Sequence, residues 1–181
     1  IADDYDIPLI FDEIQIGFGA TGKIWYFENL NVVPDILIFG KKTQLSGIMV
    51  REKFSKIFNE AIRLEVTWDA DIIDMVRCKY VIKAYEEYKI LDNVKTQSKL
   101  LREKLEEVDG IFNIRNCGLL FAFDFDSNEK RNQFQKNLFQ LGMLTNSSRN
   151  RTIRLRPNLA VTKDEINTAI QKINSAITFH D

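Results

Sequence analysis

The sequence predicts an α/β chain with a parallel-sheet part at residues 1–90 and a smaller α+β part at residues 91–181. In the first part, two apolar runs that each end in a polar loop are typical of buried parallel strands. In the second part, amphipathic helix patterns alternate with short strand patterns. The chain has 181 residues, of which 45% are hydrophobic and 28% charged, as in an ordinary globular protein.

The first part contains three predicted strands. The first strand covers residues 7–12 and leads into a loop whose glycines, Gly17, Gly19 and Gly22, indicate unusual backbone angles. A second strand, Ile36–Phe39, follows a turn at residues 34–35, and a third covers Gly47–Val50. A short helical turn is expected at residues 51–58.

A long helix is predicted at residues 71–88. Its apolar side chains step by three and four residues, which places on one face Met75, Cys78, Ile82 and Tyr85. We expect a break near residues 92–93 and then a further helix, which contains Leu101 and Leu105 and ends at residues 109–110.

Strands and helices are interleaved in the second part. Strands are predicted at residues 112–115, 119–125 and 152–156, and the second of these places on one side Phe121, Phe123 and Phe125. Asp126 with Glu129 resembles a capping box for a helix that ends at Gly142. Thr162 with Glu165 predicts the start of the last helix, whose apolar face is Ile166, Ile170, Ile173 and Ile177.

Composition argues against several classes of function. The 25 basic and 26 acidic residues give a net charge of -1, so we expect no nucleic-acid or membrane partner. We find neither an apolar run of membrane-spanning length nor a signal peptide. Cys78 and Cys117 form no CxxC motif and are expected to be reduced, in a cytoplasmic protein. A single histidine, His180, argues against a histidine-based triad or metal site.

An acid and a lysine follow the first two predicted strands. Asp12 ends the first strand and Lys41 comes just after the second. Ligands of α/β sheets bind at the carboxyl ends of the strands, where these two side chains are expected to lie side by side. An amine and an acid at this edge suit pyridoxal phosphate, which pairs a lysine Schiff base with an acid at its pyridine nitrogen.

Two longer strings carry a family resemblance. Residues 11–23 read FDEIQIGFGATGK and residues 32–41 read VVPDILIFGK. Both resemble class III aminotransferases, which have the type I fold and depend on pyridoxal phosphate. Shorter segments agree, at residues 63–68, 74–76, 118–123 and 153–157. The resemblance implies the C-terminal part of that fold, with part of the large cofactor-binding domain at residues 1–90 and the small domain at residues 91–181.

Within the family, residues 39–47, FGKKTQLSG, most resemble L-lysine 6-aminotransferases. Most members have a glycine after the Schiff-base lysine, whereas a doubled lysine also occurs in 4-aminobutyrate aminotransferases. Thr43 and Gln44 favour the lysine enzyme. The implied reaction transfers the ε-amino group of L-lysine to 2-oxoglutarate, giving the semialdehyde and glutamate. A 4-aminobutyrate or ornithine aminotransferase is the alternative within this class.

The resemblance also implies roles for single residues. Lys41 would form the Schiff base and carry protons, and Asp12 would keep the pyridine nitrogen protonated. Gln15 would bond near the phenolic oxygen of the cofactor, with Lys42 a neighbour that raises the local positive potential. Thr67 would reach the cofactor phosphate of the other subunit in a homodimer.

The resemblance further implies that Arg154 binds the α-carboxylate of the substrate, a role that suits a guanidinium group because it pairs with a carboxylate through two hydrogen bonds. Arg156 is the alternative carboxylate ligand, or forms a structural ion pair.

The sequence departs from the family after Trp68. Family members usually have a glycine-rich stretch after the aromatic residue that follows the threonine, whereas here Trp68 is followed by Asp69-Ala70-Asp71, and two carboxylates would repel a phosphate. The phosphate loop and the residue that stacks on the cofactor ring would precede Ile1. We therefore expect this chain to be inactive alone, and a truncated, non-catalytic relative is the third alternative.

Overall fold

The computed structural model of the chain describes residues 1–67 and 69–178. Trp68, which belongs to the quoted string 63–68, and His180 lie outside the described residues. The chain divides into two compact units. The first unit comprises residues 1–19 and 23–89, and the second comprises residues 20–22 and the chain from residue 90 onward.

The first unit contains a sheet of three strands in the order β1-β2-β3, with β1 at Ile10–Asp12, β2 at Ile36–Phe39 and β3 at Gly47–Val50. β1 and β2 are parallel, as predicted, and β3 is antiparallel to β2. β1 is shorter than expected because the Ile7 N–H donates to Ala2 O at 2.9 Å, outside the sheet. The expectation that β1 is buried was wrong, since Ile10 is 52% exposed.

A buried acid fastens β1 to β2. Asp35, just before β2, is 4% exposed and accepts the Leu9 N–H at 3.0 Å. The same carboxylate pairs with Lys53 Nζ at 2.9 Å and Arg51 Nη1 at 3.4 Å. The hydrogen bond from Leu9 and then the one from Lys53 lower the pKa of Asp35. These bonds therefore hold the start of β1 in a fixed register with the start of β2.

An aromatic cluster fills the space between the glycine-rich loop and β2. The Phe18 ring meets the Trp25 ring edge to face at 4.6 Å and the Phe39 ring at 6.0 Å. The Tyr85 hydroxyl donates to Phe18 O at 2.9 Å. These contacts hold the loop that follows Asp12 against the rest of the first unit.

Helices of the first unit lie mostly outside its core. The 3-10 helices are Asp3–Tyr5, Tyr26–Asn29 and Glu52–Phe58, the last of which confirms the predicted helical turn. α1, Ile72–Glu87, buries only Cys78 among its side chains. The predicted long helix is confirmed, but its apolar face is largely uncovered, because Met75 is 45% exposed and Ile82 is 46% exposed.

The second unit contains a four-stranded antiparallel sheet in the order β4-β5-β7-β6. Its strands are β4 Phe112–Cys117, β5 Leu120–Asp124, β6 Asn146–Ser148 and β7 Thr152–Leu155. β6 was not predicted, because its three polar residues show no apolar alternation. It is recruited as an edge strand by pairing with β7.

Three helices accompany this sheet, namely α2 Ile90–Glu106, α3 Asn128–Gln140 and α4 Lys163–Thr178. The predicted break at residues 92–93 was wrong, since Asn93 Nδ2 donates to Leu159 O and Val161 O instead of disturbing α2. α3 is capped by Ser127 rather than Asp126. The capping box of α4 is confirmed, with Thr162 N to Glu165 Oε2 at 2.8 Å and Glu165 N to Thr162 Oγ1 at 3.3 Å.

Phenylalanine rings form the centre of the second core. The three alternating rings of residues 121, 123 and 125 are all buried, as predicted. Phe134 of α3 packs on two of them, with ring centroids 4.8 Å from Phe125 and 6.0 Å from Phe123. α4 completes the core with Ile166 and Ile173.

Across residues 1–67 and 69–178, no helix is both long and apolar enough to cross a membrane. Within the same residues, no group of His, Cys, Asp and Glu side chains could hold a metal ion. Cys78 and Cys117 are both free thiols.

Candidate active site

The predicted acid and lysine belong to the same end of the parallel pair. Asp12 is the last residue of β1 and pairs in register with Ile38 of β2. Lys41 follows the end of β2 by two residues, and both side chains are exposed. Because parallel strands end at one edge of a sheet, the first unit presents an acid and an amine together.

Gln15 joins this group through a direct hydrogen bond. Lys41 Nζ donates to Gln15 Oε1 at 2.6 Å. Asp12 Oδ1 accepts the Ile14 N–H at 3.0 Å, so the acid also contacts the start of the loop that carries Gln15. The structure thus brings three of the five predicted site residues into one part of the first unit.

Lys41 occupies a backbone conformation that favours glycine. Its φ is +61°, and Gln44 in the same loop has a φ of +60°. Two turns hold this loop, with Lys42 N to Gly40 O at 2.9 Å and Gln44 N to Lys41 O at 3.0 Å. A left-handed conformation costs a non-glycine residue about 1–2 kcal/mol, and such strain is concentrated at functional sites.

The glycine-rich loop approaches its neighbours closely at Gly17. A Cβ atom there would lie 2.8 Å from Glu13 O and 3.0 Å from the Trp25 ring. The Glu13 side chain, 1% exposed, accepts the N–H groups of Tyr26 at 2.6 Å and Phe27 at 2.9 Å. Sequence reasoning missed Glu13, although an acid next to Asp12 at the head of a glycine-rich loop is a usable signal.

Lys42 reaches the same loop as Lys41 but contacts its backbone. Its Nζ donates to Gln15 O at 2.7 Å and to Gly17 O at 2.8 Å. The sequence suggested only a source of positive potential here. These bonds give the second lysine a defined geometric place beside the first.

Thr67 belongs to an exposed segment at residues 59–67 and 69–70 that has no strand. Val66 and Asp69 from this segment line a cavity of about 590 Å³ together with Ile14 and Phe39. Asp71 caps α1, accepting the N–H groups of Ile73 at 2.7 Å and Asp74 at 3.2 Å.

Arg154 belongs to β7 of the second unit and is exposed there. It stands in register between Ala122 of β5 and Asn146 of β6, and forms no ion pair with a described acidic residue. Arg156 instead donates from Nη2 to Asn146 Oδ1 at 2.8 Å. Of the two candidate carboxylate ligands, Arg156 thus has its guanidinium group engaged by a side-chain amide, and for Arg154 no such hydrogen bond is seen among the described residues.

The donor set of the first unit fits pyridoxal phosphate. An exposed amine suits its aldehyde, and an exposed carboxylate suits its pyridine nitrogen. With Oε1 of Gln15 engaged by Lys41, the Nε2 group of that amide remains a donor for a phenolic oxygen. No residue of this group would have to change its chemical type to hold the cofactor.

Comparison with known proteins gives a consistent result. L-lysine-epsilon aminotransferase from Mycobacterium tuberculosis is 34% identical over 186 aligned positions, covering 98% of this chain and 41% of that protein. 4-Aminobutyrate aminotransferase from Dictyostelium discoideum is 29% identical, covering 98% of this chain and 37% of that protein. A solved lysine aminotransferase from M. tuberculosis, in its internal aldimine form, superposes with a TM-score of 0.89 at 32% identity.

That superposition covers 98% of this chain and 43% of the solved one, so the chain spans about two fifths of the length of these relatives. The fold is accordingly α/β and corresponds to part of a type I aminotransferase. The sequence model of the family described as aminotransferase class-III matches residues 1–177. The chain therefore belongs to the class III aminotransferases, a family that uses pyridoxal phosphate.

Proposed function

We propose that the protein transfers the ε-amino group of L-lysine to 2-oxoglutarate, with pyridoxal phosphate as cofactor. The observation that carries the proposal is the bond of 2.6 Å between Lys41 Nζ and Gln15 Oε1, next to the strand that ends in Asp12. It supports an amine held for covalent attachment at the edge of the parallel pair.

Each residue of the group has a distinct task in this proposal. When bound, pyridoxal phosphate supplies an aldehyde that captures amines and a ring that withdraws electrons. Lys41 would hold the aldehyde carbon through Nζ, with release of water, and its amine would later move a proton as a base. Asp12 would hold the proton on the pyridine nitrogen, and the Gln15 amide would orient the ring through its phenolic oxygen.

L-Lysine is proposed as the donor on the strength of similarity. The lysine-epsilon aminotransferase shares 34% identity with this chain, and the 4-aminobutyrate enzyme shares 29%. Thr43 and Gln44 after the lysine pair support the same choice, and Thr43 is fully buried, with Oγ1 donating to Leu45 O at 2.9 Å. A 4-aminobutyrate or ornithine aminotransferase is the second candidate.

Donor competition tests the reaction and the donor together. Because this chain is expected to be inactive alone, the assay uses protein extended to the length of its relatives. Glutamate formation from 2-oxoglutarate is measured with L-lysine, 4-aminobutyrate and ornithine, and we expect kcat/KM to favour lysine by about tenfold or more. Lys41→Ala should lower turnover by about 1000-fold, because the attachment point is lost. Lys23→Ala, an exposed lysine of the same unit, is the matched control. Full turnover by Lys41→Ala would refute the role of Lys41.

We also propose that the protein acts as a homodimer in which Thr67 donates to the cofactor phosphate of the other subunit. The exposure of Thr67 supports this, and so do the apolar side chains that flank it. Val66 is 70% exposed, and Ile72 and Ile73 are 74% and 69% exposed. Exposed apolar groups in such number are typical of an interaction surface.

Thr67→Val tests this arrangement because it removes the hydroxyl and keeps the shape. Loss of one hydrogen bond to a charged phosphate should weaken cofactor binding by about tenfold. Thr96→Val, at an exposed position of α2, is the matched control. Light scattering should give the mass of two chains. A monomeric protein that binds the cofactor, with the same affinity in Thr67→Val as in the wild type, would rule the arrangement out.

Arg154 is proposed to bind the α-carboxylate of the substrate, in a small domain that corresponds to residues 91–181. Residues 1–90 would then be part of the large cofactor-binding domain. We expect Arg154→Lys to raise KM for 2-oxoglutarate by about tenfold or more, and Arg156→Lys to change it little. A cytoplasmic location completes the proposal, supported by two free thiols.

The non-catalytic alternative rests on the parts of the site that are expected before Ile1 and on Asp69 and Asp71, which were expected to repel the phosphate. Asp71 has a structural use, since its Oδ1 accepts both capping N–H groups of α1. Asp69 Oδ1 likewise accepts the N–H of Ala70 at 3.1 Å. These bonds explain the two acids as local structural residues but leave their charge in place. Attachment of the cofactor to Lys41 would favour the catalytic alternative, and its failure would favour the non-catalytic one.

A further inference from the structure

We propose that Lys42 is a positioning residue for the Lys41 amine, acting through Gln15. The inference rests on the proposed function only in taking Lys41 as the reactive amine. Gln15 is held at two places by the lysine pair: its side-chain Oε1 accepts from Lys41 Nζ at 2.6 Å, and its main-chain oxygen accepts from Lys42 Nζ at 2.7 Å.

The geometry of the lysine pair makes this division of tasks possible. Lys41 has a φ of +61°, which turns the chain sharply between the two residues. One ammonium group therefore donates to an amide side chain, whereas the next donates to two main-chain oxygens. Lys42 is half-buried and Lys41 exposed, which suits a supporting group and a reactive one.

A second bond extends the support into the glycine-rich loop. Lys42 Nζ also donates to Gly17 O at 2.8 Å, and Gly17 N in turn donates to Glu13 O at 2.8 Å. Bonds from a charged donor are about twice as strong as neutral ones. Residues 15–17 are thus tied from both sides, and the position of the Gln15 side chain follows from that of its backbone.

This role differs from a contribution of charge alone. A positive potential would act on Lys41 across space and would not depend on Gln15. A positioning role predicts that the effect of removing Lys42 vanishes once the Gln15 side chain has been removed. The two explanations are therefore separable by a double-mutant cycle.

The test uses cofactor-free protein and two readouts that need no turnover. The first is hydrogen exchange of the amides at residues 15–22. The second is the rate at which an amine-reactive anhydride labels Lys41, measured by peptide mapping. Lys42→Met should raise both by about tenfold, because the loop opens locally and releases the amine. Lys42→Arg, which keeps charge and donors, should change them less.

Controls decide between the explanations. Lys23→Met should leave both readouts unchanged, and Gln15→Leu combined with Lys42→Met should label Lys41 no faster than Gln15→Leu alone. Additive effects, or exchange unchanged in Lys42→Met, would overturn the proposal. If Lys42→Met does not fold, Lys42→Gln replaces it, and the hydrogen-exchange rate at residues 15–22 should then rise by about threefold. An exchange rate equal to that of the wild type would overturn the proposal.

Failure of this inference and failure of the proposed function give different results. Cofactor that does not attach to Lys41 would refute the function, yet leave the exchange and labelling results intact. Attachment to Lys41 with unchanged exchange in Lys42→Met would leave the function in place and remove the positioning role.

Discussion

The two units of the molecule are stabilised in different ways. In the second unit, Phe123, Leu138, Ile153 and Ile173 are completely buried. In the first unit, the buried apolar side chains among the described residues are Phe18, Leu37 and Cys78. The unit that carries Lys41 thus has the smaller core of its own.

Hydrogen bonds and ion pairs of charged side chains contribute to the stability of the first unit. Asp35 joins the starts of β1 and β2, Glu13 holds the loop, and Lys42 holds the same loop from the other side. A hydrogen bond contributes a net 0.5–1.5 kcal/mol, roughly, whereas burying an aromatic ring contributes several times more. The difference teaches that directional bonds set the geometry of the candidate site, whereas packing sets the stability of the second unit.

The largest expected effect comes from opening the second core. Phe123→Ala should lower the free energy of unfolding of the second unit by about 4 kcal/mol, and Leu37→Ala that of the first by about 2 kcal/mol. Urea unfolding followed by fluorescence reports the first unit, because both tryptophans, Trp25 and Trp68, precede residue 90. Circular dichroism follows both units. If Phe123→Ala shifts the fluorescence transition as far as the circular dichroism transition, the two units unfold together.

A smaller effect should come from the buried acid of the second unit. Burial raises the pKa of Asp124, but hydrogen bonds from Thr152, Asn113 and Arg115 outweigh it and leave the pKa lowered. A lowered pKa stabilises the fold above the ordinary carboxyl pKa, and that contribution is lost as pH falls through the folded-state value.

Asp124→Asn should therefore make the loss of stability less steep as pH falls below the ordinary carboxyl pKa. Urea titrations at several pH values, followed by circular dichroism, measure the slope. Asp109→Asn, at an exposed position of the same unit, is the control for surface charge. An unchanged slope in Asp124→Asn would show that the acid does not sense folding of the second unit.

The smallest effects should come from helix caps, and they sharpen the comparison. Thr162→Ala removes the cap of α4 and should cost about 1 kcal/mol of global stability, since α4 packs in the second core. Asp71→Ala removes the cap of α1, which buries only Cys78. That change should appear as faster hydrogen exchange in α1 with little shift of the unfolding midpoint. Equal shifts in both variants would contradict the comparison.

Local patterns in the sequence predicted much of the second unit. The alternation of Phe121 and Phe123 and the pairing of Thr162 with Glu165 are short-range signals that the fold preserves. β6 escaped prediction because it exists only by pairing with β7. The supposed break at residues 92–93 failed because the Asn93 amide binds carbonyls 66 and 68 positions away.

The candidate site was predicted to a similar degree. The strand ends and the family strings pointed to Asp12, Gln15 and Lys41, and the structure places them in one unit. The partners of Glu13 and Lys42 could not be predicted because they are main-chain groups, which residue identity does not reveal. The exposure of α1 was equally invisible, since a helical period states which residues share a face but not whether anything covers it.

The positive φ of Lys41 sets stability and chemistry in opposition at one position. Glycine there would relieve the backbone and make the folded chain more stable by about 1 kcal/mol, at the loss of the amine. Stability alone would therefore favour glycine at position 41, as it would at other non-glycine residues of positive φ such as Gln44 and Lys89. At position 41 the same replacement would also remove the amine that donates to the Gln15 side chain.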